Sequence, residues 1–377
     1  MSALQPHENM VIVSIVDRKG NAEKVIEAAQ AAGGLFGVIT KARANMRQGK
    51  KRWLKTFSIS PEMESVLILT SARAESDVIH SALHAAGIDR SAIGAVMSMP
   101  VSRVWSTEYL GTEHSPVSPH PEEKRKKLQK GLRLITCICQ HGKADEIAAA
   151  AVDEGAAAPI IHYGEGKGVR DRMGLLKIAV NPEKEVIHVV TDELECERIF
   201  DAMVDAGNLY APGMGFIYTT EIPAGFINLH TTVSTSHTEA TMEQIIKAID
   251  DLKENKSWRM TNVGLSSIRR NKWKKMKDLV NLKLVTRRGL GDEFINKAMH
   301  SGAHGATRVY ANLIGGEKVQ SVTGRTINDE REVIDFHVVP ESVGPLLKAL
   351  EEIVAEHESK NSFIMEIPVP EALTYFG

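Results

Sequence analysis

The residues best suited to chemistry in this chain gather in one short run, His162-Tyr163-Gly164-Glu165. An imidazole titrates near neutral pH and can take or give a proton, so His162 beside Tyr163 is the acid–base candidate. The competing reading makes His162 a surface histidine at the base of a loop. Two corresponding runs, Thr40-Lys41-Ala42-Arg43 and Val309-Tyr310-Ala311-Asn312, differ from it and from each other. Lys41 and Arg43 offer cations to an anionic ligand or an acidic partner. They open a basic stretch that continues through Arg47, Lys50, Lys51, Arg52 and Lys55 around Trp53. Glu183 and Glu185 form an i, i+2 carboxylate pair that a strand would point the same way. The pair recurs as Glu62/Glu64 and Glu330/Glu332, which predicts a shared structural role at a turn rather than catalysis. Cys137 and Cys139, with no second Cys/His pair nearby, predict two buried thiols and no metal site. No P-loop, no G-x-G-x-x-G after a strand and no G-x-S-x-G occurs, which excludes only enzymes built on those motifs.

The elements that must position these residues are written three times. Gly20, Gly142 and Gly289 each follow a short apolar run and precede a helical pattern, which Gly33, Gly155 and Gly302 close. From the second copy to the third, glycines and glutamates all shift by 147 residues. The repeats span 10–105, 131–228 and 281–375, with linkers at 106–130 and 229–280. In the second copy, Leu132 to Cys139 reads as a buried strand, Ala144 to Glu154 as a helix and Pro159 to Tyr163 as a strand. Leu175 to Val180 and Glu185 to Val190 read as extended, Leu194 to Ala206 as a helix and Gly215 to Ile222 as a closing strand. The order β-α-β-β-α-β is a split βαβ unit with one bare sheet face. Three bare faces can bury one another. The expected fold is therefore α+β: three tandem ferredoxin-like lobes forming a single-chain pseudo-trimer, with helices outside.

The second copy resembles the PII family of signalling proteins and their PII-like relatives. The resemblance rests on His141-Gly142-Lys143-Ala144-Asp145-Glu146-Ile147, Ile160 to Gly166, Asn181 to Val186, Ala211 to Phe216 and Ile222 to Phe226. The other copies match more weakly. It implies adenine-nucleotide binding in clefts between repeats and a mobile loop, here 164–174, that reports the ligand to a partner. Carried over by position, Gly213 and Gly215 are the glycines of a phosphate loop whose following lysine is replaced by Phe216. Arg103 is the one candidate for the family's phosphate-holding arginine. ATP binding is thus in question, and the residues point to no particular cofactor beyond an adenine nucleotide.

Composition narrows the partners. A net charge of −2 gives no general attraction for nucleic acid or membrane. The run Arg269 to Lys277 around Trp273 is a weak nucleic-acid footprint, and Thr241 to Glu254 is an amphipathic stripe. Three clustered cysteines, no long apolar span and no leader pattern predict a cytoplasmic protein without membrane insertion. The leading functional expectation is a PII-like binding and signalling protein. It would sense a small anionic metabolite or nucleotide in an inter-lobe cleft lined by Lys41, Arg43, Gly164, Glu165, Gly213, Gly215 and Arg103, and contact a protein partner through loops 41–55 and 164–174. The alternative is a hydrolase or lyase on a small polar substrate, with His162 and Tyr163 catalytic.

Overall fold

A computed structural model describes residues 4–48, 58–59, 61–90, 93–107, 110, 125–168, 182–229, 232–233, 274–315, 329–357 and 362–375. The amphipathic stripe 241–254, the extended segment 175–180, residues 269–273, residues 49–55 of loop 41–55 and residues 169–174 of loop 164–174 lie outside them.

The first copy contributes β2 (Met10–Arg18), α1 (Ala22–Ala31), β3 (Gly34–Ala44), β6 (Glu62–Ser71), α2 (Glu75–Ala86) and β7 (Gly94–Pro100). The second contributes β9 (Leu132–Gln140), α3 (Ala144–Asp153), β10 (Ile160–Gly168), β11 (Glu183–Asp192), α4 (Cys196–Gly207) and β12 (Gly215–Ile222). The third contributes β15 (Met276–Arg287), α5 (Gly291–His300), β16 (Gly305–Ile314), β17 (Asp329–Val338), α6 (Pro340–Glu356) and β18 (Phe363–Thr374). Short strands β1 (Gln5–His7), β8 (Arg103–Ser106) and β13 (Gly225–Asn228) extend the edges. A separate three-stranded sheet joins β4 (Met46–Gln48), β5 (Ser58–Ile59) and β14 (Thr232–Val233).

Strand alternation sets the layers. On β9, Ile135, Cys137 and Cys139 face outward and pack with Ile147 and Phe200 beneath α3 and α4. The two thiols are thus buried against helices, Cys139 also facing the Glu185 carbonyl at 3.6 Å. Leu134 on the other face joins an inner core with Met10 and Ile12 of the first copy and Val285 and Phe363 of the third. That interior belongs to all three copies at once.

The three ferredoxin-like lobes assembled as a pseudo-trimer are corrected by the pairing. Fifteen strands form one continuous sheet. Nine of them, in the circuit β3-β16-β17-β15-β18-β12-β9-β11-β10, close into an antiparallel barrel, and six more extend it. The expectation counted each repeat's bare face and left out its edges. Unpaired edge N–H and C=O groups need partners, and here the next copy supplies them. Glu165 pairs with Arg308, Ala311 with Thr40 and Phe216 with Thr374 across the copies. Gly164 permits one such seam, because a Cβ there would lie 2.7 Å from the Arg308 carbonyl oxygen. Among the described residues no helix is long and apolar enough to cross a membrane.

Candidate functional site

The recurring glycine and glutamate meet at the start of the first helix of each copy. Gly20, Gly142 and Gly289 hold φ of +96°, +83° and +95°, a region open to glycine without a Cβ clash. The turn aims backbone N–H groups at the neighbouring strand. Glu64 accepts from the N–H groups of Gly20 (2.9 Å) and Ala22 (3.4 Å). Glu185 accepts from Gly142 (2.8 Å) and Ala144 (3.0 Å), and Glu332 from Gly289 (3.3 Å). The residues at the N-cap positions of α1, α3 and α5 provide no side-chain cap. A strand carboxylate satisfies the orphan donors instead and complements the positive helix end. The second glutamate of each pair is therefore a fold device; it was expected at a turn, and the structure places it within a strand, bound to the start of a helix.

Glu185 also belongs to the junction of the first and second copies. Arg43 on β3 crosses to the second copy and holds three groups there. Its Nη1 lies 2.6 Å from Asp145, its Nη2 3.4 Å from Glu185, and its Nε–H donates to the Tyr163 hydroxyl at 3.1 Å. Glu185 is 4% exposed, whereas Asp145 is 64% exposed. The guanidinium stands 5.9 Å from the Tyr163 ring centroid, a cation–π distance. Two of the predicted residues, Arg43 and Tyr163, are thus brought together, and Lys41 is exposed nearby, in register with Glu64.

At the junction of the second and third copies Glu165 plays a different part. It is bound by Arg308 and accepts from the Tyr310 hydroxyl at 3.2 Å. Arg308 also faces Asp292 (3.2 Å) and Glu332 (3.6 Å). This buried arginine stands where the other copies have Ile39 and Ile161. A charged residue at an otherwise apolar repeat position was the signal that could have revealed it.

His162 turns into the barrel and Tyr163 out of it, so the proposed acid–base pair is not one site. His162 is 3% exposed, which removes the surface-histidine reading as well. Its Nδ1 lies 3.1 Å from the Lys41 carbonyl, which can only accept, so Nδ1 carries the proton. Burial lowers its pKa to about 4. Its Nε2 is then free to accept from the Ser65 hydroxyl at 3.3 Å. Both nitrogens are committed to the fold. His188 stacks 4.9 Å away, its pKa pushed well down by burial and then by His162.

The same interior holds Lys283 and Asp335, 2.6 Å apart, with the Asn281 amide donating to Asp335 at 2.7 Å. Burial raises the Asp335 pKa, but Lys283 and His337 outweigh it and leave the carboxyl below its ordinary range. Phe216, which the PII resemblance set where a lysine was expected, meets the His337 ring at 4.6 Å and a 52° tilt inside the barrel. The Asn281 Oδ1 and His337 Nε2 atoms have no protein partner among the described residues. The sequence reading missed this cluster. Its trace was a charged residue on the inward face of each of two strands, Lys283 and Asp335, which pair directly.

The remaining predicted residues lie apart. Gly213 and Gly215 offer their carbonyls to Gln140 (3.1 Å) and Thr374 (2.7 Å), so part of that loop is engaged by the protein itself. Arg103 lies on β8, over the Trp105 ring at 5.5 Å and in register with Glu366. Among the described residues, no group of three His, Cys, Asp or Glu side chains is placed to hold a metal ion.

No family model and no curated protein matches the chain. Among solved structures it is similar to a microcompartments protein from Desulfitobacterium hafniense DCB, at 12% identity and a TM-score of 0.17 over 58% of this chain and 96% of that one. It is also similar to an anthrone oxidase-like protein, at 12% identity and a TM-score of 0.19 over 63% and 99%. Both likenesses are too distant to assign a fold or an activity.

Proposed function

We propose that this chain is a PII-like binding and signalling protein that senses a small anionic metabolite or nucleotide at the junction of β3 and β10. The observation that carries the reading is the three-way hold of Arg43 on Asp145, Glu185 and Tyr163. Arg43 and Tyr163 lie within or next to segments 41–55 and 164–174, so one guanidinium ties together the strands that lead into both. Its side chain is 15% exposed and its partner Asp145 far more so. An incoming anion can therefore reach Arg43 and displace Asp145 without opening the core. Phosphate and carboxylate both present the paired oxygens that a guanidinium recognises. Glu185 stays held by the N–H groups of Gly142 and Ala144 when Asp145 is released. The ligand shifts the loops only by the difference in its affinity for the two arrangements.

Calorimetric titration of the whole chain with ATP and with ADP tests the reading. Micromolar binding is expected for at least one of them. Arg43→Ala should weaken it by about tenfold or more, the worth of one charge-assisted hydrogen bond. Asp145→Asn removes the internal competitor and should tighten it. Absence of binding, or binding indifferent to both substitutions, contradicts the proposal.

A further inference from the structure

A second place for an anion lies on the outer surface of the first copy, between the start of α1 and the end of α2. A concave pocket of about 390 Å³ is lined by Arg18, Asn21, Lys24, His84, Gly87 and Arg90, with no carboxylate side chain in its wall. That volume is within the range of small-molecule sites. Arg90 is partly balanced by Asp89, at 3.6 Å, and Asp89 also meets His84 at 3.0 Å. Arg18 and Lys24 are exposed and make no ion pair among the described residues. Asp17, next to Arg18, is 1% exposed and accepts the Arg18 backbone N–H at 2.7 Å, while Glu23 and Glu27 are exposed on α1 beside Lys24. The side chains that line the pocket therefore carry positive charge only, on a chain whose net charge is −2.

The repeats supply an internal comparison. At the positions of Arg18, Lys24, His84 and Arg90 the second copy has Gln140, Glu146, Asp205 and Ala211. The third keeps Arg287 but places Glu293 and Glu352 opposite it in the pattern, and those carboxylates pair with His357 and Lys297. The helix geometry is shared, with α1, α3 and α5 each ten residues long. Only the first copy has a basic or imidazole side chain at all four of these positions. The helices themselves do not need those cations, since the second copy's helix pair stands with none of them.

We infer that the pocket between α1 and α2 of the first copy binds a small polyanion of the phosphorylated-metabolite class, held by Arg18, Lys24 and Arg90. The Arg18 guanidinium and the Lys24 ammonium, with Arg90 held at the rim by the His84 carbonyl at 3.3 Å, suit a ligand with adjacent phosphate groups. This site is separate from the Arg43 junction and does not depend on it.

Inorganic pyrophosphate is the probe, titrated calorimetrically into the full chain and into variants. The wild type should bind one equivalent at this site saturably and more weakly as salt is raised. The double variant Arg18→Ala/Lys24→Ala, exposed and outside the core, should weaken that binding by at least about tenfold. Made on an Arg43→Ala background, which removes the junction as a second anion site, the same double variant should lose the remaining equivalent of pyrophosphate. No saturable binding, or a double variant that binds like the wild type, overturns the inference. Loss of pyrophosphate binding in Arg43→Ala alone would place the anion at the junction and overturn it equally.

Discussion

Burial holds His162 and His337 at a pKa of about 4, against an ordinary 6.5, and pushes His188 well down beside them. For His337 the nearby Asp335 works in the opposite direction and Lys283 with burial. The unfolded chain therefore takes up protons on these rings at higher pH than the folded one. Their contribution to stability is complete above pH 6.5 and is lost as pH falls from there through about 4. The difference amounts to on the order of 3 kcal/mol for each of His162 and His337. Urea unfolding followed from pH 7.5 to 4.5 should show the midpoint falling across that window, and His337→Gln should flatten part of the slope. A midpoint that stays level between pH 7 and 5 contradicts the buried, neutral assignment. At this scale the sequence was legible where residues repeat. Glycine and glutamate at fixed offsets marked recurring structural positions, although the glutamates read as turn residues and not as partners of the helix start. It was opaque for His162, because a strand's alternation decides in or out and the run Ile160 to Gly164 does not reveal which face is covered.

Strands and helices of the second copy follow the apolar periodicity closely: the helix expected over 144–154 spans Ala144–Asp153, and the strand expected over 215–222 spans Gly215–Ile222. The second strand is the informative departure. It was expected to end at Tyr163, yet β10 continues to Gly168 because its outer half pairs with β16 of the next copy. Glycine-rich and charged, that half reads as a loop in isolation, and only the partner strand makes it extended. Gly164→Ala should destabilise the chain by about 1–3 kcal/mol, since the new methyl must displace the Arg308 backbone. Gly168→Ala, where a Cβ meets nothing within 4 Å, is the matched control and should be nearly neutral. Denaturant midpoints of the two variants decide it, and equal values would contradict the close approach at the seam.

At the scale of the whole molecule the copies are not lobes that touch but segments of one closed sheet. Which edges meet depends on three separated stretches of chain at once, and no local pattern in the sequence encodes that. The consequence for function is that Arg43 and Tyr163, 120 residues apart, share one hydrogen bond across a continuous sheet. A disturbance of Arg43 should therefore be felt on both sides of the junction. Hydrogen exchange of the full chain, wild type against Arg43→Ala and without any ligand, measures this coupling directly. The account predicts faster exchange appearing together at the end of β3, residues 41–44, and along β10, residues 160–168. A change confined to β3, or none at all, would contradict the role given to Arg43.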